Sequence, residues 1–340
     1  VSTVKKKSGD YAASDDILAY MKRVAVLRGG PSEEYDVSML SGNAVLQALA
    51  ESDYSRRDIT ISKVGDWYSD GRKLTIDQAL SDIDVVFIAL HGSYGEDGQI
   101  QRILERKNIP FTGSRALASG IAFNKEMTKH TMRPHGVTMA KHRRIHRDER
   151  HTLKDEVAQI IADLGTELFV KPIASGSSFG AKRIKDSLLL QETLEELLDK
   201  YDQLLIEEHI AGTEATVGVL GDFRGERLYT LPAVEIIPPM EHDFFTYENK
   251  YDGSTTELVP GRFSPQVKAE MARIATLAHE SVGCRQYSRS DFLVRNGEVY
   301  FLEINTLPGL TNQSLLPKSA EAIGLSFKDL IAHLIETARG

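Results

Sequence analysis

The sequence predicts a mixed α/β and α+β protein, with a doubly wound parallel-sheet domain first and an antiparallel module with helices after it. Three observations carry that prediction. Residues 83–90 (IDVVFIAL) form a continuous apolar run, as in a parallel strand covered on both faces. A strand at Arg23–Leu27 leads through a glycine turn straight into an amphipathic helix. From about Val137 the pattern changes to alternating strands mixed with helices. It ends in two short apolar strands, Asp291–Val294 and Val299–Ile304, around the turn signal Asn296-Gly297.

Taken in order, residues 1–21 are polar, carry a Lys triplet, and are expected to form a mobile tail or a short appended helix. After the first strand, Gly29-Gly30-Pro31-Ser32 is a turn that requires small residues. The helix behind it sets Val37, Leu40, Ala44, Val45, Ala48 and Leu49 on one face. A glycine turn feeding a helix N-terminus is where α/β sheets place anionic ligands, and Glu34 lies in it; taken alone, Glu34 reads first as a solvated surface residue. The apolar run 83–90 ends at a glycine-rich loop, His91 to Gly98. A helix at Gln99–Lys107 and a strand at Ile109–Thr112 complete the unit, and a helical stretch, Ala116–His130, carries Lys125.

Farther on, the strand Glu167–Pro172 holds Lys171 and runs into the small-residue loop 174–180, which returns as a strand at Ala181–Lys185. Backbone N–H groups and hydroxyls such as Ser178 in such a loop are suited to phosphates, although the loop does not match the GxxxxGK[ST] pattern. Strands at Tyr201–His209 and Glu214–Leu220 follow, with a last helix at Phe327–Thr337. Residues 238–262, containing Lys250 and Tyr251, show no periodicity and read as a long functional loop or lid.

The closing hairpin carries the chemistry. Side chains alternate along a strand, so Glu303 and Asn305 share a face, and Asp291 across the turn can join them. Three hard oxygen donors at a strand end suit Mg²⁺, which fills its shell with water and substrate phosphates. A strict two-residue loop would set Asp291 opposite Leu302 and send Glu303 to the other face. The spacing therefore predicts an odd-length connection or a one-residue bulge, with Gly297 at positive φ.

Composition narrows the rest. At 340 residues and 41% hydrophobic, the chain can bury ample core in two or three domains. No run suggests a membrane span or a leader peptide, so a cytoplasmic protein is expected. A single Cys, Cys284, excludes an internal disulfide and reads as a core thiol. A net charge of −8 argues against nucleic acid as the main partner.

As an ordered set, LRGGPSEEYDVS, ALHGSYGEDGQIQ, NKEMTK, FVKPIASGSSFG, LLIEEHIAGTE, ENKYDGSTTELVPG and EINTLPGLTNQSL resemble the D-alanine:D-alanine ligases of the ATP-grasp superfamily, from about Val24 to Ala338. The resemblance implies an ATP-grasp fold with an N-terminal α/β domain (22–121), a central lid module (122–210) and a C-terminal catalytic module (211–340). It implies ATP-dependent joining of two D-alanines through an acyl phosphate for peptidoglycan precursors, with two Mg²⁺ or Mn²⁺ ions; a homodimer is expected. Lys125, Lys171 and Lys250 would bind phosphates, with Ser178 in the loop over them. Glu207, Ile210 and Glu214 would face adenine and ribose, and Asp291, Glu303 and Asn305 would hold the metals. Glu34 would hold the first D-alanine ammonium, with His91 nearby and Ser177 and Tyr251 linking it to closing loops. Arg289 and the Gly309 N–H would form the oxyanion hole, and Ser314 and Leu315 would seat the second D-alanine. The chain departs from the usual pattern at Tyr35, Asp36, Asn124, Ser175 and Glu208. D-serine or D-lactate as second substrate, or a regulator that binds nucleotide without chemistry, are the alternatives.

Overall fold

The computed structural model describes residues 21–176, 179–238 and 255–340. The chain opens with β1 (Arg23–Gly29), α1 (Tyr35–Ala50), β2 (Ser55–Ile61), β3 (Trp67–Ser69), β4 (Arg72–Leu74), α2 (Ile76–Ala79), β5 (Val85–Ile88) and α3 (Gln99–Lys107). Their sheet runs β4-β3-β2-β1-β5, with β1 parallel to both β2 and β5. The parallel core is the expected one. The antiparallel edge, β2-β3-β4, was not expected from the sequence; Asp70 and Gly71, at φ 51° and 72°, make the two-residue turn between β3 and β4.

Helix α1 buries Val37, Ser38, Ser41, Gly42, Val45 and Leu49, while Leu40 is 58% exposed, against expectation. The buried face uses small residues because α1 lies close on β1: a Cβ on Gly42 would sit 2.5 Å from that of Arg28. Ser38 also ties strand ends together, accepting from Gly29 N and donating to Ala89 O. The expected strand Ile109–Thr112 reduces to one bridging residue, Phe111, between Val86 and Arg339. Pro110 lacks a donor on one side and Gly113, at φ 88°, turns the chain on the other.

The expected single helix 116–130 is two, α4 (Ala116–Phe123) and α5 (Lys125–Met132). They part at Asn124, which adopts an extended conformation and caps α5 by accepting from Met127 N at 2.9 Å. Next come β6 (His142–His146), α6 (Leu153–Leu164), β7 (Leu168–Pro172), β8 (Lys182–Ile184), α7 (Leu190–Lys200) and β9 (Gln203–Glu208). These strands form an antiparallel sheet, β6-β9-β7-β8. Helices α6 and α7 cover one face with Ile160, Leu164, Leu190, Leu194 and Leu198 against Leu168, Val170, Leu204 and Ile206.

The last part contains β10 (Thr213–Phe223), β11 (Glu226–Thr230), β12 (Val234–Ile237), β13 (Thr256–Leu258), α8 (Pro265–Val282), β14 (Tyr287–Arg295), β15 (Glu298–Asn305), α9 (Leu315–Glu321) and α10 (Phe327–Glu336). The strand β13 lies inside the stretch expected to be irregular; pairing with β12 gives Thr256–Leu258 an order that its own composition did not signal. The second antiparallel sheet runs β13-β12-β10-β14-β15, with β11 on β10, and α8 packs against it. Helix α10 returns to the N-terminal domain, where Leu330, Ile331, Leu334 and Ile335 join the core of β1 and β5.

Strands β14 and β15 meet in a tight hairpin: Arg295 faces Glu298, and Asn296 and Gly297 lie at φ 52° and 83°. The register then shifts, because Phe292 faces Phe301 whereas Asp291 faces Glu303, leaving Leu302 in excess. The expected bulge is present, and it coexists with the two-residue loop. Arg289, Asp291, Glu303 and Asn305 consequently share one face.

Candidate active site

A cleft of about 340 Å³ lies between the two antiparallel sheets. It brings together Lys125, Lys171, Glu207, Ile210, Glu214, Arg289, Asp291, Glu303 and Leu315. The lysines come from the start of α5 and from β7, and the acid and Arg cluster from β14 and β15. A cation in the first turn of a helix opposes the helix dipole, so Lys125 is not placed there for helix stability. Its Nζ donates to Ser175 O at 2.6 Å and lies 3.4 Å from Glu303 Oε2. Ser175 Oγ in turn donates to Phe179 O.

Three buried charged residues meet at one wall. Glu207 Oε2 is 2.7 Å from Lys171 Nζ, and Glu207 Oε1 is 2.6 Å from Lys129 Nζ. Burial favours a neutral Glu207, but Lys129 and Lys171 outweigh it and hold the carboxyl down at about 2. Burial likewise opposes the Lys171 ammonium, yet Glu207 and Glu303 hold its pKa above the ordinary lysine value. For Lys129, burial dominates and the adjacent Lys171 adds to it, so its pKa is lowered despite Glu207. Expected to face adenine, Glu207 thus already engages two lysines; a carboxylate has acceptor capacity for a further donor.

On the opposite wall Asp291 is held from three sides. Arg289 donates Nε to Oδ1 at 2.8 Å and Nη2 to Oδ2 at 2.7 Å. Thr216 Oγ1 donates to Oδ1 at 2.7 Å and Asn305 Nδ2 to Oδ2 at 3.0 Å. Among the described residues no three His, Cys, Asp or Glu gather as a metal site. A cation here would need Asp291, Glu303 and the amide oxygen of Asn305, a hard all-oxygen set that fits Mg²⁺ or Mn²⁺.

The remaining predicted residues lie where the N-terminal domain meets the loop after β15. Glu34 is 5% exposed and wedged between glycines: an added Cβ would approach its Oε2 to 2.2 Å at Gly176 and 2.6 Å at Gly92. His91 Nδ1 donates to Leu307 O at 3.2 Å, and its Nε2 is hydrogen-bonded with Ser41 Oγ at 2.8 Å. Both ring nitrogens are engaged, so His91 pins the domain to the loop. An added Cβ on Gly309 would lie 2.8 Å from Ser314 Oγ, which accepts from Thr311 N. Leu315 starts α9 and packs on Val234 and Ile236. Ser177, Ser178, Lys250 and Tyr251 lie outside the described residues, as does the tail before Met21.

The sequence reading missed Lys129, Thr216 and Gly176. Lys129 stands four residues after Lys125, on the same face of α5, and that spacing was the available signal. Of the departures, Asn124 caps α5 in the way an aspartate does, and Glu208 Oε1 accepts from Lys141 N, closing the start of β6 onto β9. Cys284 is partly buried against the core beneath α8, and burial pushes its thiol up to about 12, which disfavours the thiolate. Among the described residues, no helix is long and apolar enough to cross a membrane.

Family models for the D-ala D-ala ligase C-terminus and N-terminus match residues 131–336 and residues 23–79 and 69–114. A D-alanine–D-alanine ligase of Flavobacterium johnsoniae is 35% identical over 93% of this chain and 99% of its own length. Among solved structures, the Bacillus anthracis D-alanine–D-alanine ligase complexed with ATP has a TM-score of 0.77 at 32% identity, covering 93% of this chain and 96% of that one. The VanG D-Ala:D-Ser ligase of Enterococcus faecalis has a TM-score of 0.78 at 29% identity, covering 93% and 99%. The chain therefore belongs to the D-alanine–D-alanine ligase family and has its ATP-grasp fold, two facing antiparallel sheets behind an N-terminal α/β domain.

Proposed function

We propose that the chain joins two D-alanines to D-alanyl-D-alanine, with ATP as phosphoryl donor, for peptidoglycan precursors. The observation carrying this reading is one cleft that unites Lys125, Lys171 and Arg289 with the oxygen donors Asp291 and Glu303, Asn305 standing behind them on Asp291. A carboxylate and an ammonium ion do not condense in water. Transfer of the γ-phosphoryl of ATP to the first D-alanine carboxylate gives an acyl phosphate and ADP, and requires anion to approach anion.

In this reading Lys125, Lys171 and Lys250, with Ser178, offset the phosphate charge, while Glu207, Ile210 and Glu214 hold the adenosine. Two Mg²⁺ or Mn²⁺ ions, held by Asp291, Glu303 and Asn305, supply further charge neutralisation when bound. Glu34 holds the first ammonium, and Ser314 and Leu315 seat the second D-alanine. Its amine attacks the acyl carbon, Arg289 and the Gly309 N–H stabilise the oxyanion, and phosphate leaves. Ser177 and Tyr251 belong to the loops that keep water from the acyl phosphate.

The same reading divides the chain at 22–121, 122–210 and 211–340, each part containing one of the three sheets. It describes a cytoplasmic homodimer; light scattering tests the dimer. A second reading, D-serine as the second substrate, is favoured by the likeness to the VanG ligase. The deciding experiment measures ADP release with D-alanine alone and with D-serine or D-lactate added, products being identified by mass. ADP release with D-alanine and a D-alanyl-D-alanine product is the expected result. No ADP release with any of the three would refute the proposal and leave a nucleotide-binding regulator.

A further inference from the structure

Lys129 is completely buried in α5, and it is not among the residues that line the cleft. An ammonium ion in such a place is costly unless it is paired, and an apolar side chain would fill the same space without that cost. Its partner is informative. Lys129 Nζ lies 2.6 Å from Glu207 Oε1, and the other oxygen of the same carboxylate, Oε2, lies 2.7 Å from Lys171 Nζ, which does reach the cleft.

With Lys171 alone, the single negative charge of Glu207 would cancel the single positive charge of that lysine. With Lys129 on the far oxygen, two cations share one anion, and the group carries an excess positive charge. The excess is expressed at Lys171, the member at the cleft wall. Lys125 stands one turn before Lys129 on α5 and faces Glu303, so one short helix sets both sides of the charge pattern.

We propose that Lys129 is a positioning residue for nucleotide phosphates. It acts through Glu207: by holding one carboxylate oxygen, it fixes the orientation of Glu207 and leaves the Lys171 ammonium with charge to spare for an anion. The proposal rests on the nucleotide reading of the cleft.

The test compares calorimetric binding of adenosine, ADP and a non-hydrolysable ATP analogue, with Mg²⁺, to the full chain and to Lys129→Met. The ratio of ADP to adenosine affinity should fall about tenfold in the variant, the size of one charge-assisted hydrogen bond. Adding Glu207→Gln to Lys129→Met should recover most of the ratio, because a neutral amide no longer claims Lys171. A merely structural Lys129 would weaken adenosine and ADP alike and give no recovery. An unchanged ratio in Lys129→Met, or equal losses for all three ligands, would overturn the proposal while leaving the nucleotide reading intact. A wild-type protein with no preference for ADP over adenosine would overturn both. Should Lys129→Met not fold, Lys129→Gln carries the same expectation.

Discussion

Arg289 holds both carboxylate oxygens of Asp291, at 2.8 and 2.7 Å, from two residues away along one face of β14. The group expected to meet an oxyanion is therefore preorganised by a group expected to meet a metal. We predict that Arg289→Ala lowers kcat about 100- to 1,000-fold, as for loss of one oxyanion donor. It should also reduce the Mg²⁺ needed for half-maximal rate, since Asp291 loses a competing cation. Rates measured across a Mg²⁺ titration check both; an unchanged kcat would remove Arg289 from the chemistry.

Glu34 and Gly176 should behave as one unit. A Cβ at Gly176 would sit 2.2 Å from Glu34 Oε2, closer than any real contact, so Gly176→Ala must displace that carboxylate or the loop. We predict that Glu34→Gln and Gly176→Ala both raise the KM of the first D-alanine about tenfold or more, the worth of a charged hydrogen bond, with ATP affinity nearly unchanged in Glu34→Gln. Initial-rate kinetics in both substrates decide it. Unaltered D-alanine dependence in either variant would separate the two residues.

A third prediction concerns acid stability. His279 lies buried under β14, its Nδ1 2.8 Å from Ser288 Oγ, and burial pushes its pKa down to about 4, with Arg227 lowering it further and Glu280 opposing. The unfolded chain, with an ordinary imidazole near 6.5, binds this proton more readily than the folded one between pH 6.5 and 4. Stability should therefore fall as pH drops through that window, by about 3 kcal/mol at most. Urea unfolding at pH 7.5 and 5 should show a smaller difference for His279→Asn than for the wild type. An equal difference would mean that other groups carry the acid sensitivity.

Packing behind the metal face gives a fourth. Phe301 is fully buried, with its ring edge-on to Phe292 at 5.9 Å between centroids. We predict that Phe301→Ala costs about 3–5 kcal/mol in unfolding free energy. A loss below about 1 kcal/mol in denaturant titration would show that this core collapses readily around the missing ring.

How much of this was legible in the sequence depended on the kind of signal. The strand Val85–Ile88 was legible as part of the continuous apolar run 83–90, the helix Gln99–Lys107 was read with its observed bounds, and the Glu303, Asn305 and Asp291 convergence followed from alternation plus the register across the turn. Strand β2 did not, because Ser55–Asp58 is polar and only Ile59 and Ile61 enter the core. Lys129 was hidden for a related reason. In NKEMTK, a lysine looks like a solvated helix position, and only the partner from β9, some eighty residues away, gives it a place inside. Asn124 splits one helical pattern into two through its own side chain, a competition that hydrophobic spacing does not record.

The residues that β15 contributes to the core beneath α8 are Val299, Phe301 and Ile304: odd, odd, then even. Leu302 is the point at which the count changes, and both it and Glu303 look into the cleft. An unbroken strand would have carried Glu303 and Asn305 under α8, among hydrocarbon. The surplus residue acts as a phase shift: the chain exchanges its wet and dry sides without leaving the sheet or adding a loop. Between the bulge and the turn, Val299 and Phe301 face the core; beyond it, Glu303 and Asn305 face the cleft side while Ile304 keeps the strand anchored beneath α8.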